Sequence, residues 1–146
     1  MGAARLTPYN DGVGTIVSDP LERKVLADLA LERAADRLRE LLRDAALELR
    51  PFPPFPGAFF TNAVEVEAPG MNDPALGCVV VREDGELCEL KMSINFDETT
   101  PDPVQARDET LVPLTDLHPR DYVVYAYAAL MRITELLLER AGDAPA

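Results

Sequence analysis

The only histidine of the chain, His118, stands where a general acid or base could work. It lies directly before a predicted helix that begins at Pro119, with Asp116 and Asp121 close by in the sequence. Neighbouring carboxylates raise the pKa of an imidazole, whereas the positive end of a helix lowers it, so acid–base chemistry is reasonable here. A helix cap explains the same position, and no serine or cysteine lies at the spacing of a nucleophilic motif. We therefore predict no catalytic residue, and an enzyme is the less favoured interpretation.

Acidic residues around this histidine form a candidate binding site. Several oxygens on one loop can hold a divalent cation, but the spacing lacks the alternating carboxylates, central glycine and terminal glutamate of a calcium loop. Carboxylates on a flexible loop also attract a basic segment of a partner protein over a distance. We predict neither a metal ligand nor a cofactor. The candidate binding residues are Asp97, Glu98, Asp102, Asp108, Glu109, Asp116 and His118.

Two cysteines, Cys78 and Cys88, flank a predicted hairpin turn. A two-residue loop would place their side chains on opposite faces of the hairpin. A three-residue loop with Gly85 as a left-handed bulge would pair residue 82 with residue 86 and put both cysteines on one face, about 7–8 Å apart on a diagonal. Neither arrangement allows an unstrained disulfide. We predict two free thiols in the core.

A long amphipathic helix is predicted over residues 20–50. Asp19 can cap it, Pro20 fits its first turn, and no glycine or proline follows until residue 51. Its apolar residues recur at steps of three and four. At about 1.5 Å per residue the helix is ~45 Å long, whereas a compact chain of this length is roughly 38 Å across. Part of the helix is therefore expected to project from its domain.

An antiparallel sheet is predicted after this helix. Residues 51–57 are rich in proline and phenylalanine, which indicates a stiff connector whose rings pack into the core. Residues 58–96 contain three runs of alternating apolar and polar residues, typical of a meander, and Thr110 to Leu114 is a candidate fourth strand. Even-numbered residues form the more apolar face, which favours the three-residue turn. The opposite face, with Val79, Val81 and Leu87, is either covered by a helix or exposed as a contact surface.

These elements predict one α+β domain over residues 1–146, with two helices packed on an antiparallel sheet. Its segments are a lead-in at 1–19, the long helix at 20–50, the connector at 51–57, the sheet at 58–96, an acidic loop at 97–118 and a C-terminal helix at 119–142.

The first half of the C-terminal helix, Tyr122 to Met131, is apolar on every side. Such a helix must be covered on more than one side, by the sheet and by either the first helix or another subunit. We therefore predict a homodimer. The expected interface residues are Leu31, Leu38, Leu41, Tyr125 and Met131.

The net charge narrows the choice of partners. The chain has 26 acidic and 14 basic residues and a formal charge of −12, which repels nucleic acid and anionic membranes. No apolar run reaches the roughly 20 residues of a membrane span, and no secretory core is apparent, so we expect a cytoplasmic protein. Residues 20–50 have no net charge, so the negative charge is carried by the rest of the chain. That negative charge favours a basic protein segment as a partner.

The order of these elements resembles that of the type III secretion chaperone-like superfamily. The resemblance covers residues 76–141 and rests on a meander with an Asp84–Gly85 turn, a loop and a C-terminal helix, in a small acidic chain with a long first helix. It implies an acidic homodimer that binds segments of other proteins and has no catalytic residues. The predicted function is accordingly a noncatalytic dimeric interaction or chaperone-like module. The alternative is a protein that binds a small molecule or divalent metal, or an enzyme, using residues 97–122.

Overall fold

The computed structural model describes residues 19–71, 73, 75–94 and 107–143. Six elements follow one another: α1 (Pro20–Glu48), β1 (Ala63–Glu65), β2 (Cys78–Arg82), β3 (Leu87–Ile94), β4 (Arg107–Pro113) and α2 (Pro119–Asp143). The predicted α+β class is confirmed, with a four-stranded antiparallel sheet and a C-terminal helix that packs on it. Within the described residues, neither helix has an apolar stretch long enough to cross a bilayer.

The chain divides into two compact units, residues 1–33 and 34–146. Of the first unit, the structure describes residues 19–33, which begin α1. Oδ1 of Asp19 accepts a hydrogen bond of 3.0 Å from the backbone N–H of Leu21, so Asp19 caps the helix as predicted.

The four strands lie in the order β1-β2-β3-β4, and each pair is antiparallel. At the turn between β2 and β3, the backbone N–H of Arg82 donates to the carbonyl of Glu86 at 2.9 Å, and Gly85 has a φ of +88°. This is the predicted three-residue turn, and it places Cys78 and Cys88 on one face. Both cysteines are free, as predicted.

The two faces of the sheet are covered by different elements. Val79, Val81 and Leu87 belong to the main core together with residues of both helices, and we call this side the helix face. The residues of α1 and α2 in this core are Ala35, Leu42, Ala46, Tyr122, Tyr125, Ala126, Ala129 and Ile133, and Leu49, directly after α1, joins them. The question that the sequence left open is thereby answered, because this face is covered by helices and is not an exposed contact surface.

The opposite side of the sheet carries a smaller core, and we call it the connector face. Val80, Cys88 and Leu90 pack there against Phe55 of the connector, with Ala63 of β1 completing the buried set. Phe52 of the same connector joins the core on the helix face. The prediction that the rings of the connector pack into the core is therefore confirmed.

Two strands differ in length from their prediction. β1 is shorter than the alternating run that starts at Phe60. Asn62 forms an isolated bridge with Pro54 of the connector, and the backbone N–H groups of Phe59 and Phe60 bind the side chain of Glu109 instead of a neighbouring strand. β4 is longer than Thr110 to Leu114 and occupies part of the predicted acidic loop. Acidic residues have low strand propensity, but pairing with β3 along its whole length overrides that preference.

Candidate functional site

His118 forms the N-terminal cap of α2. Its Nδ1 accepts a hydrogen bond of 3.0 Å from the backbone N–H of Arg120, and its carbonyl accepts bonds from Asp121 and Tyr122, both of 2.9 Å. Because Nδ1 of His118 acts as the acceptor of this capping bond, the imidazole is held against the end of the helix. The geometry thus supports the structural interpretation of this histidine.

The predicted acidic binding residues do not form one group in the described part of the chain. Asp97, Glu98 and Asp102 lie outside the described residues. Asp108 is exposed on β4, and Asp116 is exposed between β4 and α2. Among the described residues, no group of three or more metal-ligating side chains is arranged to hold an ion.

Glu109 has a structural position that the loop prediction did not anticipate. Its carboxylate accepts hydrogen bonds from the backbone N–H groups of Phe59 at 2.6 Å and Phe60 at 3.0 Å, and from Oγ1 of Thr61 at 2.8 Å. These bonds join β4 to the segment that follows the connector. The prediction that Glu109 lies on a solvated loop is wrong, because it lies on a strand and binds the backbone.

Neither thiol is prepared for nucleophilic chemistry. Burial, and then the carboxylate of Glu65, whose Oε2 lies 3.8 Å from Sγ of Cys78, together raise the pKa of Cys78 to about 11. Burial also raises the pKa of Cys88. Only the thiolate is a strong nucleophile, so both cysteines are unreactive near neutral pH.

A groove of about 760 Å³ lies between the connector, β1 with the residues after it, and α2. This volume falls within the range of about 300–1,000 Å³ that is typical of ligand sites. The lining residues are Pro53, Pro54, Pro56, Ala63, Val64, Glu65, Glu67, Pro69, Tyr127, Ala128, Met131, Arg132, Glu135 and Leu136. We call this site the β1–α2 groove.

Large apolar side chains of the β1–α2 groove remain in contact with water. Tyr127 is 58% exposed and Met131 is 39% exposed, although both belong to a helix whose other side is buried. Tyrosine and methionine are enriched where proteins bind one another. The apolar part of the groove is therefore suited to a ligand with apolar side chains.

The charged part of the groove is acidic. Of its described lining residues, Glu65, Glu67 and Glu135 are acidic and Arg132 alone is basic. Nη1 of Arg132 lies 2.9 Å from Oε1 of Glu135 and 3.9 Å from Oε2 of Glu139, so its charge is offset by its own neighbours. The groove therefore favours a basic ligand.

The predicted dimer contacts differ in how much surface they offer. Leu31, Leu38 and Leu41 are partly exposed, and Leu38 packs against the main core. Met131 lines the β1–α2 groove. Tyr125 is only 5% exposed and lies within the main core, so its assignment to an interface is corrected: the chain itself covers it.

Sequence reasoning missed the β1–α2 groove because it expected the first half of α2 to be covered by the sheet and by either the first helix or another subunit, without a concave site beside it. A signal was present in the spacing. Tyr122, Tyr125, Ala126, Ala129 and Ile133 follow steps of three and four and are all buried. Tyr127 and Met131 fall outside that stripe while lying four residues apart, so they share a second face of the helix.

Comparisons of the chain with protein-family models, with curated proteins and with solved structures found no match. The resemblance to the type III secretion chaperone-like superfamily therefore stays a prediction.

Proposed function

We propose that this protein is a noncatalytic interaction module, chaperone-like in its action, that holds a segment of another protein in the β1–α2 groove. The observation that carries the proposal is the combination of exposed Tyr127 and Met131 with an acidic wall in one concave site. A methionine side chain adapts its shape to varied partners, which suits the binding of unfolded segments. A cytoplasmic location remains part of the proposal, on the sequence grounds given above.

The proposal includes a homodimer formed through α1. Leu21, Val25 and Leu29 lie four residues apart and are each at least 40% exposed in the 1–33 unit. Residues at this spacing share a helix face, and a contiguous apolar stripe of this kind marks an interaction surface. Leu31, two residues after Leu29, lies on a different face of α1, so the stripe is a second candidate surface beside the contacts predicted at Leu31, Leu38 and Leu41. Light scattering should give about twice the chain mass of 16.0 kDa, and a mass of one chain at tens of micromolar would remove the dimer from the proposal.

The rival function, a small-molecule or metal site or an enzyme built from residues 97–122, has less support. Within the described part of that region, His118 caps a helix and Glu109 binds the backbone of another segment. A thermal-shift screen against divalent ions and metabolites distinguishes the two functions, because a bound ligand stabilises the fold by RT ln(1 + [L]/Kd). We expect no shift, and a reproducible rise in Tm with one compound would favour the rival.

A crosslinking experiment tests the groove directly. We would replace Met131 with a photoreactive phenylalanine and, as a matched control, do the same at Met92. These methionines are 39% and 40% exposed, but only Met131 lines the β1–α2 groove. Irradiation in host cells should link Met131 variants to a discrete protein that purified binding assays then confirm. Equal products from both positions, or none from position 131, would contradict the proposed function.

A further inference from the structure

The outer edge of β1 presents backbone groups to the β1–α2 groove. The backbone N–H of Val66 donates to the carbonyl of Val79 at 2.9 Å, which identifies residues 64 and 66 as the ones that bond to β2. In an antiparallel pair, alternate residues point their N–H and C=O groups to opposite sides. Those of Ala63 and Glu65 therefore point away from β2, towards the groove.

The connector already pairs with the first part of this edge. The backbone N–H of Ala63 donates to the carbonyl of Pro53 at 3.1 Å, and that of Phe55 donates to the carbonyl of Thr61 at 2.9 Å. The pairing stops there. Among the described residues, none bonds to the outward N–H and C=O groups of Glu65. The same edge thus continues, unpaired, along the floor of the groove.

We infer that the segment held in the groove is an extended basic peptide that pairs with the outer edge of β1 at Glu65 and becomes a fifth strand of the sheet. This inference rests on the proposed function and adds the binding mode and the class of ligand. Main-chain hydrogen bonds to an open sheet edge supply affinity in such complexes, and pockets for alternate side chains supply specificity.

The two sides of the added strand meet different surfaces. Side chains of adjacent strands lie on the same face when their residues are paired. Residues of the peptide that lie beside Val64 point to the helix face, where Tyr127 and Met131 supply apolar contacts. Residues beside Glu65 point to the connector face, where carboxylates favour lysine or arginine. The expected ligand alternates apolar and basic residues.

Charge also decides against a second copy of the chain at this edge. Two β1 edges paired with each other would bring Glu65 and Glu67 of one copy close to the same residues of the other. Like charges in cross-strand positions are destabilising. A basic peptide removes that repulsion and adds attraction, so it is the occupant that the groove favours.

The test uses the full chain and a phage-displayed library of random heptapeptides as the probe. Selected peptides are synthesised, and their Kd is measured for the wild type and for Met131→Lys, Leu138→Lys and Glu65→Pro. Met131→Lys adds a positive charge inside the groove, and Leu138→Lys adds the same charge on an exposed part of α2 that does not line it. Glu65→Pro removes one outward N–H without removing a bond to β2.

We expect selected peptides to alternate apolar and basic residues. Their binding should weaken at least about tenfold with Met131→Lys and with Glu65→Pro, and change little with Leu138→Lys. N-methylation of the peptide backbone should weaken binding about tenfold at every second residue, where the N–H group faces β1. At the residues in between, where the N–H group faces away from β1, it should have little effect. This last measurement stands even if Glu65→Pro fails to fold.

Four results would overturn the inference. If Met131→Lys abolishes binding of a peptide but N-methylation at any position leaves its Kd unchanged, the peptide binds in the groove without forming a strand. The proposed function would then stand. Selected acidic peptides would contradict the ligand class. A dimer that Glu65→Pro converts to a monomer would show that a second copy occupies the edge. Failure to select any peptide with a Kd below about 100 µM would contradict the proposed function as well.

Discussion

The two faces of the sheet are built from the same strands but are covered in unlike ways. On the helix face, Val81 lies under two long helices, and on the connector face, Val80 lies under a short segment that contributes chiefly Phe55. Both valines are fully buried. A short proline-rich segment therefore excludes water from Val80 as completely as two helices exclude it from Val81, provided that the position of the segment is fixed. The bonds from Glu109 to the residues after the connector help to fix it.

The largest expected effect comes from a cavity on the helix face. Ile133 of α2 has no exposed surface, so Ile133→Ala should lower the free energy of unfolding by about 2–5 kcal/mol. Leu138→Ala on the same helix is the control, because Leu138 is 67% exposed and should change stability by less than about 0.5 kcal/mol. Urea unfolding measures both. Equal effects would mean that α2 does not form the core described here.

A second test concerns the turn between β2 and β3, which closes against α1. A Cβ added at Gly85 would lie 2.6 Å from Cα of Arg43, and its φ of +88° is unfavourable for alanine. Gly85→Ala should cost about 2–4 kcal/mol, the sum of backbone strain and a clash with another backbone. Gly70 has a φ of +81° in open space, so Gly70→Ala should cost only about 1–2 kcal/mol. Similar losses would show that the clash is relieved at little cost.

The connector face is tested by removal of its anchoring carboxylate. Glu109→Ala deletes the acceptor of three hydrogen bonds and should cost about 1–3 kcal/mol. Asp108→Ala changes the charge equally at the neighbouring, exposed position and should have little effect. Hydrogen exchange should reveal faster opening of residues 59–61 in the Glu109 variant alone. Unchanged exchange there would mean that the packing of Phe55 and the backbone pairing of the connector with residues 61–63 suffice to hold the connector in place.

The smallest effect is one of reactivity and concerns the rim of the connector face. The pKa of Cys78 is about 11, against an ordinary value of 9.0, so its thiolate near neutral pH should be about 100-fold scarcer than that of a free cysteine. Its alkylation rate should keep rising with pH between these two values, where an ordinary thiol has levelled off. Iodoacetamide labelling followed by mass spectrometry measures this, with the fully buried Cys88 as the protected control. A plateau near pH 9 would contradict the burial of Cys78.

The comparison also shows what the sequence could predict of the fold. Helix positions followed from the cap at Asp19 and from unbroken periodicity, which are local properties. The turn at Gly85 followed from the need to keep the cysteines and their neighbours on one face. The sequence did not predict which face of the sheet the helices cover. Alternating apolar and polar residues show that a strand has two different sides, but they do not show which element packs on each side. The strand at Arg107–Pro113 was obscured by its acidic residues, whose low strand propensity is outweighed by pairing with β3.

The candidate site was harder to predict than the fold. The acids at 97–118 were conspicuous because they are close in sequence, whereas the β1–α2 groove combines residues 53–69 with residues of α2 that are far from them in sequence. A concave site of this kind depends on how Pro53, Glu65 and Met131 are brought together, and no local pattern encodes that. The one local signal, the second stripe on α2, shows that the helix has an unburied apolar face without showing what lies opposite it.

The bridge between the connector and β1 has a consequence for how the protein resists aggregation. Open strand edges are templates for fibril growth, and natural sheets protect them with prolines, charges and short strands. The connector lays proline residues along the start of β1, and Glu65 places a charge where the pairing ends. At the other edge of the described sheet, β4 begins with three consecutive charged residues, Arg107, Asp108 and Glu109, and ends at Pro113. Uncontrolled edge-to-edge pairing of sheets is thereby opposed at both edges, while the short open stretch of β1 is long enough to pair with one selected segment.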